Sequence, residues 1–158
     1  MSPVGVAPRL SRRRALVLLG AAVPALAACS TSAADAGPDP LIPLAERART
    51  DVALVTAAIT ADPGLTGVLD PLRSARVDHA DALQKEIDRL AGATTPTAAP
   101  QAAAPSGAAD MAAVRQAVDA AAREATGLIG GLPVERVGLV GSVAACCSAY
   151  ATVLGSPA

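Results

Sequence analysis

The chain has 158 residues, 13 basic and 14 acidic side chains, one histidine, one tyrosine, and neither tryptophan nor phenylalanine. A formal charge of −1 gives no electrostatic reason to bind nucleic acid, and the scarcity of chemically active side chains argues against elaborate catalytic machinery. A core has to be made of Leu, Val, Ile and Ala, and the length suits one domain.

The N-terminal stretch "LSRRRALVLLGAAVPALAACS" has the organisation of a sorting signal. Arg12, Arg13 and Arg14 form a basic region, followed by an uncharged run from Ala15 to Ala28. That run is shorter than the about 20 apolar residues a bilayer span needs, and Pro24 interrupts it. "LAAC", Leu26 to Cys29, has the lipobox pattern, in which Cys29 carries a diacylglycerol after cleavage. Ser11, Arg12, Arg13 and Leu16 match the twin-arginine export motif, with Ala15 where a bulkier residue is usual. The expectation is a signal peptide over 1–28, a lipid on Cys29, and a protein anchored on the extracytoplasmic face of the cell membrane. Without residues 1–28 the chain keeps nine basic and fourteen acidic groups, 9 − 14 = −5, so the lipid rather than charge supplies the attachment.

Residues 29–39 lack apolar periodicity and read as a flexible tether to a domain over 40–158. A first helix is expected from about residue 40 to Thr60, with Leu44, Ala48, Val52, Val55 and Ile59 on one face. "ADPG" breaks it, and a second helix is expected from about Pro71, capped by Asp70, with an irregular lead-in turn in "PGLTGVLD" as an alternative start and the stripe Leu72, Arg76, His79 or Ala80, Leu83, Ile87 and Leu90. Residues 92–109, rich in Ala, Pro and Thr, read as a long crossover that can reach ~60 Å when extended. A third helix follows Asp110, with Met111, Val114, Val118, Ala121 or Ala122, Ala125 and Leu128 inward. A fourth follows Pro133, with Val137, Val140, Ala144, Cys147, Ala151 and Leu154 inward. The predicted fold is all-α: a four-helix bundle of two hairpins joined by one long crossover, the connectivity of ferritin-like bundles.

"ARTDVALVTAAIT", "LRSARVDHADALQKEIDRLAG", "AVRQAVDAAAREA" and "GLVGSVAACCSAYATVLG", after a signal with a lipobox, together resemble the ferritin-like domain of secreted lipoproteins from high-GC Gram-positive bacteria. The resemblance implies a fold more than an activity. The wider ferritin-like class holds two metals with single carboxylates from two helices and Glu-x-x-His from the other two. Here Cys147 and Tyr150 fill that place in the fourth helix, Asp78 is followed at the third position by Asp81, and Asp119 lies off the seam. No metal and no cofactor is therefore expected.

Asp51, Arg76 and His79 form the candidate polar or ligand site, because an arginine and a histidine stand inside an apolar stripe and Asp51 at the edge of the facing one. They make either a buried network that fixes helix register or a ligand or metal site around His79. Cys146 and Cys147 are adjacent, so their side chains diverge by about 100° on a helix and read as small buried thiols rather than a redox pair. Tyr150 reads as a seam-edge residue. The expected function is that of a binding or structural cell-envelope component. The alternatives are a metal-binding or oxidoreductase protein with an atypical site at His79, and a carrier of a small apolar ligand.

Overall fold

The computed structural model describes residues 37–92 and 107–155. The proposed signal peptide, Arg12, Arg13 and Cys29 lie outside the described residues, as does most of the crossover. Four helices are present, α1 (Ile42–Ala61), α2 (Thr66–Ala91), α3 (Met111–Ile129) and α4 (Val134–Gly155), and no strand occurs among the described residues.

Each helix end has a local cause. The Asp39 carboxylate accepts from the backbone N–H of Leu41 (2.8 Å) and its carbonyl from that of Ile42 (3.0 Å), so a turn of the chain enters α1 with Pro43 in its first turn. Asp62 ends α1 in an extended conformation; its side chain accepts from Gly64 N–H and starts the 3-10 turn Pro63–Leu65. Asp110 caps α3 through Ala113 N–H (2.8 Å). Gly92 closes α2 in the left-handed region at φ 67°, a conformation that favours glycine.

The start of α2 differs from the expectation. The helix begins at Thr66, one turn before Asp70, and Pro71 lies inside it. Pro71 removes one helical hydrogen bond, and its ring is directed at the carbonyl four residues back. That residue is Gly67, with no side chain to crowd the adjustment. The extra turn brings Leu69 fully into the core.

The core is aliphatic throughout, with Leu41, Leu44, Leu69, Leu72, Leu83, Val114, Val118, Val140 and Val143 among its fully buried members. Buried alanines on every helix, such as Ala48, Ala80, Ala121 and Ala144, let the backbones approach closely. Leu44, Ala48 and Val55 of α1 and Val140, Ala144 and Cys147 of α4 are buried as expected, and other positions of both seams shift by one. In α1 it is Asp51 rather than Val52 that faces inward, and Ala58 rather than Ile59; in α4 Arg136 and Val143 are buried while Val137 is only partly so. Leu90, expected inside, is 52% exposed.

The closest pairs are α1 with α2 and α3 with α4, then α1 with α3, while α2 and α4 meet over a smaller area. Ion pairs between elements give the directions. Arg47, near the start of α1, binds Glu124, near the end of α3. Arg136, at the start of α4, binds Asp39, just before α1, and lies beside Glu86, near the end of α2. Hence α1 and α4 start at one end of the bundle, where α2 and α3 finish. The link from Gly92 to Gly107 therefore joins opposite ends, set apart by about the ~28 Å length of the 19-residue α3, and its fifteen positions can reach up to ~50 Å.

By length and composition α4 could cross a membrane, the one described helix that could. Here it packs on α3, with Val140, Val143, Ala144 and Cys147 in the shared core.

Candidate functional site

The three polar residues singled out in the sequence meet in mid-bundle, centred on Arg76. Its side chain is fully buried, and Asp51 is 2% exposed. Arg76 Nε donates to Asp51 Oδ2 at 3.0 Å, and Nη2 lies 2.9 Å from the same oxygen but out of line for a hydrogen bond. Nη1 is 3.0 Å from His79 Nδ1 and donates to Cys147 Sγ at 3.3 Å. The guanidinium thus joins α1, α2 and α4. A long, always-charged side chain spans a gap that Leu or Val leaves open.

The electrostatics follow from that centre. Burial pushes the Asp51 carboxyl above its ordinary value, and the Arg76 guanidinium opposes the shift. Burial, reinforced by the like charge of Arg76, pulls the His79 imidazole down to about 4. His79 is therefore neutral at pH 7. Since Nδ1 faces an arginine N–H it accepts, and the ring proton resides on Nε2.

This sets a pH dependence. The unfolded chain takes up the His79 proton near pH 6.5 and the folded one only near 4, so the folded state gains nothing from His79 above 6.5. It loses stability as pH falls from 6.5 to about 4, after which the loss levels off. Proton NMR titration of His79, the only imidazole of the chain, is expected to show a midpoint near 4. A midpoint near 6.5 contradicts its contact with Arg76.

Cys147 is fully buried, and burial raises its thiol to about 11 despite the nearby Arg76. A thiol in that state is a weak nucleophile and a weak hydrogen-bond acceptor, and it serves Arg76 as the latter. Cys146 is partly exposed on another side of α4, its thiol also raised by burial, and both cysteines are free. Tyr150 packs its ring partly against the core. Asp78 and Asp81 point to solvent, and Asp119 pairs with Arg123 on the surface of α3. Among the described residues no three His, Cys, Asp or Glu side chains form a group able to hold a metal ion.

A second buried arginine was not anticipated. Arg136 is 4% exposed; its Nη2 donates to both Asp39 oxygens at 3.0 and 2.8 Å, and its Nε lies 3.3 Å from Glu86 Oε1, out of line. Glu86 in turn accepts two hydrogen bonds from Arg89, each 2.8 Å, which hold its carboxyl below the ordinary range. Asp39 is thus bound to the helical domain rather than belonging to a free tether. In "PVERVGLVG" the signal was present: Arg136 precedes Val140 by four residues, and 136, 140, 143 and 147 make as regular a seam as the one chosen.

Two open grooves lie on the outside of the hairpins. One of about 610 Å³ runs between α3 and α4 past Arg115, Gln116 and Asp119, and one of about 340 Å³ runs between α1 and α2 past Thr56, Asp70 and Arg73. Neither is lined by Asp51, Arg76 or His79.

Compared with protein-family models, with curated proteins and with solved structures, the chain matches none.

Proposed function

We propose that this protein is a lipid-anchored, extracytoplasmic helical-bundle protein with ferritin-like connectivity, acting as a binding or structural component of the cell envelope without a dimetal centre. The observation that carries the last part is the position of the Arg76 guanidinium. Asp51, His79 and Cys147, three side chains of metal-ligating type, all turn toward it at 2.9–3.3 Å. A permanent cation occupies the place where a ferritin-like bundle holds its metals, and it repels any second cation brought there.

Ferritin-like connectivity is supported by the helix directions, since α2 ends and α3 begins at opposite ends of the bundle. Lipid anchoring rests on "LAAC" and the basic and apolar segments before it. The test is fractionation of cells that process lipoproteins. The full chain is expected in the membrane fraction, extractable by detergent and not by salt, and Cys29→Ser is expected to move it to the soluble fraction. An unchanged distribution in Cys29→Ser overturns the anchoring.

A further inference from the structure

At the end of the bundle where α1 and α4 start, four charged side chains form one chain of contacts, Asp39–Arg136–Glu86–Arg89. It clamps the start of α1, the end of α2 and the start of α4 together. Two carboxylates meet two guanidinium groups, 2 − 2 = 0, so the cluster carries no net charge and leaves none of its members without an opposite charge. Three large aliphatic side chains stand exposed around it: Ile42 (37%), Leu90 (52%) and Val134 (79%). Each lies within three residues along the chain of a member of that cluster, and none is covered by another part of the described domain. The polypeptide preceding the domain enters here, through Asp39.

From this end of the bundle we infer a second contact with the membrane: Ile42, Leu90 and Val134 rest in the headgroup region of the bilayer that holds the lipid of Cys29. The inference rests on the anchoring proposed above. Asp39 follows Cys29 by ten positions, a span of at most ~35 Å. The opposite end, with Val68 and Val153 also exposed, is a further ~33 Å away along the 22 residues of α4. Both ends show aliphatic side chains, and the point of chain entry selects between them. Three aliphatic groups bind a bilayer weakly on their own. A tether of this length holds them at an effective concentration in the millimolar range, which makes a weak contact populated. Glu46 and Glu135, exposed near the same end, favour a zwitterionic surface over an anionic one.

The experiment uses the full chain, matured in a host that processes lipoproteins and transferred to phosphatidylcholine vesicles containing brominated lipid. An environment-sensitive fluorophore is attached through Val134→Cys or, separately, Val153→Cys, in a Cys146→Ser background, with the buried Cys147 left unlabelled. Flotation with the vesicles, compared with Cys29→Ser, reports the anchoring itself. The expected result is flotation that depends on Cys29, with quenching at least about twofold stronger at 134 than at 153. Flotation through Cys29 with equal quenching at the two positions overturns the second contact and leaves the anchoring intact. No flotation of the unsubstituted chain overturns both.

Discussion

Arg76→Met is expected to destabilise the domain by about 3–5 kcal/mol, because it removes the partner of a carboxylate that is 2% exposed. For a domain of this size the melting temperature should fall by roughly 12–20 °C. The loss comes less from the ion pair than from the Asp51 charge left behind without water. Two consequences follow. With the guanidinium gone, burial alone acts on Asp51 and drives its carboxyl higher, so the deficit of Arg76→Met should shrink as pH falls and Asp51 takes up a proton. The double substitution Asp51→Leu with Arg76→Met should recover most of the loss, since a charge-free pair of similar volume carries no desolvation penalty. Urea unfolding of the three proteins at neutral and mildly acidic pH measures all of this. A double substitution no more stable than Arg76→Met alone contradicts the pairing.

Arg136→Met is the second largest expected effect, about 2–3 kcal/mol, the cost of losing charge-assisted hydrogen bonds at a site 4% exposed. It is smaller than for Arg76 because Asp39 keeps its cap on Leu41 and Glu86 keeps both bonds from Arg89. The damage should be local as well as global. Amide exchange is expected to accelerate over the first turn of α1 and the last turn of α2, the two segments that Arg136 ties to α4, and to remain slow around Val118 in α3. Uniform acceleration over all four helices contradicts a clamp at one end.

Much of the candidate site was legible because polar side chains inside an apolar repeat are conspicuous. Arg76 and His79 interrupt a stripe of leucines, and only burial with a partner reconciles them with it; Asp51 at the edge of the facing stripe was the one nearby acid of α1 able to serve. Periodicity could not decide which of two adjacent positions faces inward when both fit the repeat. The choice between Asp51 and Val52, or between Arg136 and Val137, is made by pairing across helices, which a linear pattern does not contain. For Arg136 the apolar neighbour at 137 continued the repeat equally well and hid the inward position at 136. Pro71 misled for a related reason. Proline prefers the first turn, and the tolerance supplied by Gly67 four residues earlier becomes visible only when the helix is seen to continue back to Thr66. Cys147 reads as a small core residue from its spacing, and its role as acceptor for Arg76 needs the position of α2.

Arg76 takes up the three side chains of metal-ligating type in the middle of the bundle, and equilibrium metal binding tests the proposed absence of a metal centre most directly. The purified chain, exposed to Zn²⁺ or Fe²⁺ at pH 7 and freed of excess, is expected to retain no stoichiometric metal by elemental analysis. One or more equivalents retained, and lost again in His79→Ala, would show that the site around Arg76 is a metal centre and would contradict the account.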